Sequence, residues 1–279
     1  MRIEEAFELY KTQLLADGRS KHTIDQYRRQ LAALGRYFVD WHIEDISHLD
    51  IARFLASDEA TARFGGGTKK ASSQNVMRSI MRSFWAYLAA TRVVPSNAAY
   101  LVRRAKCSPA PPRALGVEDV AKLRNALAMA HTPLQRRDRT LIELLLGTGL
   151  RIGCTLALRV EDVDLEAREL VLREMKGNAP AVLRLKPELV TLLREHLGAR
   201  TDGFVFEGKN GRRLCSRHAS NLLGEWCARV GIRSKVSPHR LRHTFAVGLY
   251  SRTRDLLAVQ AALHHRSIAS TLVYAAAPR

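Results

Sequence analysis

The stretch Ser237-Pro-His-Arg-Leu-Arg-His243 combines the signals of a helix start with a concentration of basic side chains. Serine is a favoured N-cap residue and proline a favoured first residue of a helix, so the pattern predicts a helix that begins at Pro238. His239 and Arg242, three positions apart, lie on one face of such a helix. A guanidinium holds a phosphate through paired hydrogen bonds, and an imidazole exchanges protons near neutral pH. The stretch therefore indicates phosphate chemistry on a helix.

Three further segments, on either side of this stretch, carry side chains that suit the same chemistry. They are Arg151 after the glycine break Gly147-Thr-Gly149, His265 in the run Leu263-His-His265, and Tyr274, which lies nine residues after His265. A second arginine can hold another phosphate oxygen, and a phenol can attack phosphorus. Taken singly, each residue is more often a surface charge, a helix-terminal histidine or a tyrosine that packs with Ile268 and Leu272. The ordered set is what favours function.

In this order the segments resemble the active-site boxes of the tyrosine recombinases, the family of phage integrases and Xer-type site-specific recombinases. The resemblance runs the whole length of the chain. It implies an enzyme that cleaves and rejoins DNA strands through a 3′-phosphotyrosyl intermediate, with no ATP, metal or other cofactor. The catalytic residues that it implies are Arg151, Lys176, His239, Arg242, His265 and the nucleophile Tyr274.

The resemblance also gives each of these residues a role. Tyr274 attacks the scissile phosphate, while Arg151 and Arg242 clamp the non-bridging oxygens and stabilise the charge of the transition state. Because a free phenol has a pKa of about 10, the tyrosine needs a base or nearby cations to react at neutral pH. The arginine clamp supplies such cations.

Two histidines and a lysine complete the implied set. His239 is a proton shuttle for the phenol, and His265 donates a hydrogen bond to the phosphate. Lys176, on a predicted hairpin tip, protonates the departing 5′ oxygen. His239 and His243 also have the i, i+4 spacing of two metal ligands. Without the glutamate of an H-E-x-x-H motif or a cysteine cluster, we do not favour zinc there.

The chain departs from the family pattern at three places. Cys154 stands three residues after Arg151, where the family commonly has an acidic residue that orients the guanidinium. His264 stands where a glycine usually precedes the second histidine. Five residues follow Tyr274. We therefore expect communication between subunits to use other contacts, or a segment supplied by a partner recombinase.

The charge of the chain favours a polyanionic partner. Lys and Arg number 45 against 27 Asp and Glu, a formal net charge of +18. From Thr61 through Val117 no acidic residue occurs, which is typical of a surface that follows phosphates. A solvated basic surface or attraction to anionic lipid would give the same balance. The DNA-binding residues predicted in this span are Lys69, Lys70, Arg78 and Arg82.

Apolar spacing predicts a mainly α fold in two domains. Helices are predicted over 6–15, 24–38, 50–55, 77–88, 117–128 and 137–146, and a small β-hairpin over 169–173 and 181–185 with its tip at 176–180. Prolines at 109, 111 and 112 indicate a linker. We expect a helical core-binding domain over 1–105, the linker at 106–113, and a mixed, mostly helical catalytic domain over 114–279.

The resemblance implies double-stranded DNA with a specific core site as the partner, bound by a tetramer on two duplexes, with or without a partner recombinase. The four cysteines form no C-x-x-C pair, and we recognise neither a secretory leader nor an apolar run long enough for a membrane span. We therefore expect a cytoplasmic, nucleoid-associated protein with no membrane partner. The target sequence, and the choice between integration of a mobile element, excision and dimer resolution, stay open.

Two other functions fit parts of the pattern. A type IB topoisomerase would use a similar set of Arg, Lys, His and Tyr to nick and reseal one duplex. The second active-site histidine and the N-terminal helices favour recombination over it. A DNA-binding regulator on the same scaffold would be expected to have lost one of the six catalytic residues, and all six are present.

Overall fold

The computed structural model describes residues 1–63, 65–107, 111, 113–173 and 180–275. The chain divides into two compact units, an N-terminal unit, Met1–Ser108, and a C-terminal unit, Pro109–Arg279. Within the described residues it forms α-helices, several short 3-10 helices and a three-stranded antiparallel sheet. The predicted fold class, mainly α with a small sheet in the C-terminal part, is confirmed.

The N-terminal unit is a bundle of helices around one apolar core. Its helices are α1 (Ile3–Ala16), α2 (Lys21–Tyr37), α3 (His48–Ala56), α4 (Asp58–Thr61) and α5 (Ala71–Ala90). The Ser20 hydroxyl caps α2 by accepting a hydrogen bond from the Thr23 amide. Phe84 and Trp85 of α5 are fully buried, as are the methionines that precede them. The aromatic and methionine stripe of this helix is therefore core, as predicted.

The C-terminal unit contains seven α-helices within its described residues. They are α6 (Val117–Ala128), α7 (Pro133–Thr148), α8 (Ile152–Ala157), α9 (Pro187–Leu197), α10 (Ser216–Arg229), α11 (Pro238–Thr253) and α12 (Leu256–Ala262). The central helix α7 packs against both α9 and α11 through buried leucines. This packing brings the end of α7 beside the first turns of α11.

Helix α7 begins earlier and ends later than its apolar spacing predicted. Thr132 caps it by accepting from the Gln135 amide, and the Gln135 side chain accepts in return from the Thr132 amide. Gly147 lies inside the helix, so the predicted glycine break is wrong at that residue. The helix stops at Gly149, whose φ of 66° is left-handed.

The sheet has the order β1-β2-β3, with β1 (Val163–Asp164), β2 (Glu169–Leu172) and β3 (Ala181–Arg184). In β2, Leu170 and Leu172 face the core, and Leu170 pairs with Leu183 of β3. The two-residue strand β1 was not predicted, because so short a segment has no periodicity of its own. The predicted hairpin tip lies, except for Pro180, outside the described residues. Within the part of the chain described, no helix is both long and apolar enough to cross a membrane.

Candidate active site

The first turns of α11 hold Arg242 against the rest of the C-terminal unit. Ser237 caps the helix by accepting from the Arg240 amide, and Pro238 is its first residue, as predicted. Leu241 is fully buried and Arg242 is only 3% exposed. The guanidinium donates through Nη1 to the Gly149 carbonyl and through Nη2 to the Leu263 carbonyl, both at 2.7 Å. The side chain is thus fixed between two backbone segments.

The charge of Arg242 is buried without a compensating carboxylate among the described residues. Burial, followed by repulsion from Arg151, lowers the pKa of Arg242 to about 10, while Tyr274 and Cys154 oppose that shift. The group is therefore still a cation at neutral pH. A buried cation is costly unless an anion or several hydrogen-bond acceptors surround it. Two carbonyls accept hydrogen bonds from part of the Arg242 guanidinium, and its other N–H groups can donate to an anion.

Arg151 is the N-cap residue of α8 and is half-buried. Its charge helps to lower the pKa values of His239, Arg242 and His265. Two residues before it, Gly149 packs closely against α11, and a Cβ atom at that position would lie 2.3 Å from Cδ1 of Phe245. The two arginines on which the prediction depends are therefore near each other, with histidines around them.

His265 follows α12 and faces the same group of cations. Its Nδ1 lies 3.0 Å from Oγ1 of Thr271, a fully buried threonine. Burial, then Arg242 and Arg151, lower the pKa of His265 to about 4. The imidazole is therefore neutral at physiological pH, and its tautomer decides which nitrogen donates a hydrogen bond.

His239 and His243 form a contacting pair one turn apart on α11. Their ring centroids are 4.4 Å apart, with an interplanar angle of 72°. Burial, followed by His239 and Arg242, lowers the pKa of His243 to about 4. Burial, Arg242 and Arg151 also lower the pKa of His239. Within the described residues no group of three or more His, Cys, Asp or Glu side chains is placed to hold a metal ion.

Tyr274 ends a one-turn 3-10 helix, Leu272–Tyr274, and is only 2% exposed. Its neighbours in a small buried cluster are Ala246, Val259 and Leu263, from α11 and the region of α12. Its ring centroid lies 5.6 Å from that of His243. Burial raises the pKa of the phenol, and the charge of Arg242 acts in the opposite direction.

In the structural alternative, Tyr274 is a core residue that packs with Ile268 and Leu272. Ile268 is 38% exposed and Leu272 is 51% exposed, so neither forms the core in which the tyrosine packs. The phenol instead lies close enough to Arg242 for the two groups to shift each other's pKa. The structure thus places a buried phenol beside a buried guanidinium.

Five of the six predicted catalytic residues are therefore brought together in the C-terminal unit. They are Arg151, His239, Arg242, His265 and Tyr274. The sixth, Lys176, lies outside the described residues. Cys154, on α8, is close enough to Arg242 to affect its pKa. His264 has a left-handed φ of 50°, a conformation that glycine adopts without strain and that explains the family's usual residue there.

Of the four predicted DNA-binding residues, Lys69 and Lys70 directly precede α5 in the N-terminal unit, and Arg78 and Arg82 lie within it. Lys69 donates to the Ala60 carbonyl at 2.8 Å, so its ammonium group closes the preceding turn. Lys70 is the exposed N-cap residue of the helix. Arg78 donates to Gln74 one turn earlier, and Arg82 is exposed. Contact of these residues with DNA stays a prediction.

Two residues of the site were not identified from the sequence. His243 was noted only as a possible metal ligand, although its i, i+4 spacing from His239 placed it on the same face. Thr271, the partner of His265, carries no signal in the sequence that distinguishes it from a surface threonine. The contact of His243 with Tyr274 and that of Thr271 with His265 depend on how α12 and the following segment fold back on α11.

Comparison with known proteins gives matches to both units. Residues 115–278 match the sequence profile of the phage integrase family, and residues 7–92 match that of the phage integrase N-terminal SAM-like domain. A relative from Chromobacterium violaceum, tyrosine recombinase XerC, is 30% identical over 98% of this chain and 90% of its own length.

Two solved structures share the fold at lower identity. XerH site-specific recombinase bound to palindromic difH substrate, a post-cleavage complex, has a TM-score of 0.74 and 22% identity, over 95% of this chain and 80% of the other. A lambda integrase tetramer bound to a Holliday junction has a TM-score of 0.75 and 21% identity, over 98% of this chain and 77% of the other.

Proposed function

The chain belongs to the phage integrase family, the tyrosine recombinases, and from that premise we propose that it is a site-specific DNA recombinase whose nucleophile is Tyr274. The phenol oxygen of Tyr274 attacks the scissile phosphorus and forms a 3′-phosphotyrosyl bond, while the bond to the 5′ oxygen breaks. The released 5′-hydroxyl of another strand then attacks the phosphotyrosine and restores the phenol. The energy of the phosphodiester is kept in the covalent intermediate, so the exchange needs no ATP.

The cations of the site act on the phosphate. Arg242, held by two carbonyls, and Arg151, at the start of α8, grip the non-bridging oxygens and stabilise the extra charge of the transition state. His265 donates a hydrogen bond to the same group. His239 takes the phenolic proton, and Lys176 gives a proton to the departing 5′ oxygen.

The observation that carries this proposal is the buried Arg242 cation, which has no anionic partner among the described residues. Arg242 is 3% exposed and, within the described part of the chain, no carboxylate pairs with it. A purely structural arginine would be expected to have an acidic partner, because an uncompensated buried charge destabilises the fold. A scissile phosphate beside Tyr274 supplies that partner at the point of reaction.

The partner is double-stranded DNA with a specific core site. The net charge of +18 favours such a partner, and we propose that the helical N-terminal domain and the catalytic domain, joined by the linker at 106–113, both contact the duplex. Lys69, Lys70, Arg78 and Arg82 would contribute contacts from the N-terminal side.

The proposed assembly is a tetramer on two duplexes, with or without a partner recombinase, because a lambda integrase tetramer on a Holliday junction has the same fold. Since its substrate is chromosomal or mobile DNA, we propose that the enzyme acts in the cytoplasm at the nucleoid. The comparisons do not favour a type IB topoisomerase or a regulator without activity.

A covalent-trapping experiment tests the proposal. Core sites are first selected by the protein from a pool of random duplexes, and a selected duplex is then nicked beside its centre so that the cleaved end diffuses away. We expect wild type to give a slow-migrating, detergent-resistant protein–DNA band that Tyr274→Phe abolishes and that protease removes.

Two controls make the result specific. Tyr250→Phe, near the end of α11 and packed against the same small cluster as Tyr274, should form the band at the wild-type level. Tyr274→Phe should still bind the duplex in a gel shift. A band of equal intensity from Tyr274→Phe would overturn the nucleophile. Relaxation of supercoiled DNA without the selected site would instead support the topoisomerase.

A further inference from the structure

Within the described residues, the histidine in ring contact with Tyr274 is His243 rather than the predicted proton shuttle His239. The centroid of the His243 ring lies 5.6 Å from that of Tyr274 and 4.4 Å from that of His239. The three rings therefore form a continuous row that leads from the buried phenol to the more exposed His239. His243 occupies the middle of that row.

A buried nitrogen of His243 lacks a hydrogen bond. Its Nδ1 is inaccessible to solvent and has no partner among the described residues. An unsatisfied buried polar atom destabilises the protein, so a phenylalanine of the same shape would be the more stable choice at a purely structural position. The unused nitrogen is therefore available to a partner that arrives in another state of the protein.

In its neutral form, His243 can accept a proton. Burial, followed by the neighbouring His239 ring and the positive charge of Arg242, holds the pKa of His243 down to about 4. With its proton on Nε2, a neutral imidazole leaves Nδ1 free to accept a proton and can release the Nε2 proton on its other side. The Tyr274 ring contacts the His243 ring, and its hydroxyl is not hydrogen-bonded to Nδ1 in this structure.

We propose that His243 relays the proton of Tyr274 to His239, an inference that rests on the function proposed above. As the phenol oxygen bonds to phosphorus, its proton passes to Nδ1 of His243. The Nε2 proton of His243 passes in the same step to a ring nitrogen of His239, which delivers it to solvent. His243 ends neutral, as the other tautomer. The bond from phosphorus to the 5′ oxygen breaks, and that oxygen takes its proton from the general acid.

The relay makes a specific demand on the group at position 243, namely two nitrogens that can exchange protons. His243→Phe keeps the ring and should fold, yet it should cleave the nicked duplex at least about 100-fold more slowly than wild type, the usual effect of losing a proton-transfer group. Gel-shift affinity for the same duplex should stay at the wild-type level. His243→Ala should show the same slow cleavage.

Chemical rescue separates a relay from simple packing. Imidazole added to His243→Ala should accelerate cleavage at least about tenfold, because it restores both an acceptor and a donor nitrogen. N-methylimidazole has nearly the same shape and one acceptor nitrogen, but no N–H to release, and should give no acceleration. Equal rescue by both compounds would show that the ring only fills space, and would overturn the relay.

The failure of the relay can be told apart from the failure of the recombinase function. If wild type forms the covalent complex and His243→Phe cleaves within about threefold of it, the relay is wrong and the nucleophile stands. If wild type forms no covalent complex on any selected duplex, both proposals fall. Should His243→Ala unfold, the slow cleavage of His243→Phe still decides whether the nitrogens are needed.

Discussion

Arg242 and Tyr274 are both buried, but the protein holds them in different ways. Arg242 lies in the first turns of α11, which packs on α7 within the main core, and two backbone carbonyls fix its guanidinium. Tyr274 ends a single 3-10 turn and is covered by the small cluster of Ala246, Val259 and Leu263. The proposed phosphate grip is thus built into the main core, whereas the proposed nucleophile packs in a separate, smaller cluster. Substitution of Arg242 should therefore affect both stability and cleavage. Substitution of Tyr274 should affect cleavage alone.

The largest effect is expected from Arg242→Ala. Loss of a transition-state cation should slow cleavage of the nicked duplex by about 100- to 1000-fold. The carbonyls of Gly149 and Leu263 would also lose their donor, at a cost of about 1–3 kcal/mol each in the free energy of unfolding. Single-turnover cleavage and urea denaturation measure the two effects separately.

Arg151→Ala and Tyr274→Phe are the matched controls for that prediction. Both should lose cleavage. Arg151 is half-buried at a helix start, so its removal should lower the free energy of unfolding less than Arg242→Ala does. Tyr274→Phe keeps the buried ring and should leave stability nearly unchanged. If Arg242→Ala were as stable as wild type, the contrast between grip and nucleophile would be lost.

A smaller effect on the grip is expected from Gly149→Ala. The residue has a left-handed φ of 66°, and its new Cβ would lie 2.3 Å from Cδ1 of Phe245. Strain and overpacking together should lower the free energy of unfolding by about 2 kcal/mol or more. Cleavage should slow as well, because the Gly149 carbonyl positions Arg242.

Gly153→Ala provides the comparison, two residues beyond Arg151. Gly153 lies in α8 and a Cβ there would meet nothing within 4 Å. Alanine favours a helix over glycine, so this variant should be more stable by about 0.5–1 kcal/mol. Chemical denaturation of Gly149→Ala and Gly153→Ala tests the close packing around Gly149. Equal stability of the two variants would contradict that packing.

The smallest effect concerns pH and the side of the site that contains His265. The folded pKa of His265 is about 4, below the value of about 6.5 for an unfolded histidine. Between these values the unfolded chain binds a proton that the folded chain does not, so the free energy of unfolding falls as the pH falls through this window. Wild type should lose free energy of unfolding between about pH 7.5 and 5.5, and His265→Asn should lose about 1 kcal/mol less over the same range, after allowance for partial exposure. An unchanged loss in the variant would show that His265 is protonated in the folded protein.

Much of the fold could be predicted because its signals are local. Ser237 caps the helix that it was predicted to cap, and apolar spacing identified α2, α5 and α6. The extension of α7 to Pro133 was missed, although the reciprocal bonds of Thr132 and Gln135 are also a local signal. The strand β1 exists only through its pairing with β2, and a two-residue segment cannot reveal a tertiary contact.

The site could be predicted as a set of residues, but not as a geometry. The boxes around Arg151, Arg242 and Tyr274 resemble known ones, and resemblance gives roles without distances. The hydrogen bond from Arg242 to the Gly149 carbonyl joins positions 93 residues apart, which no local pattern encodes. The place of His243 between His239 and Tyr274 depends on the same folding back of the chain. These contacts follow from the packing of α7, α11 and α12.

The central claim is that Tyr274 meets the scissile phosphate held by the two arginines. Its most direct test is to trap the protein on a nicked core site, digest both protein and DNA, and find the modified peptide by mass spectrometry. We predict that the nucleotide is joined through its 3′ phosphate to Tyr274, and that Arg242→Ala greatly reduces the yield. A nucleotide joined to any other residue, or to the peptide through a 5′ phosphate, would contradict the account.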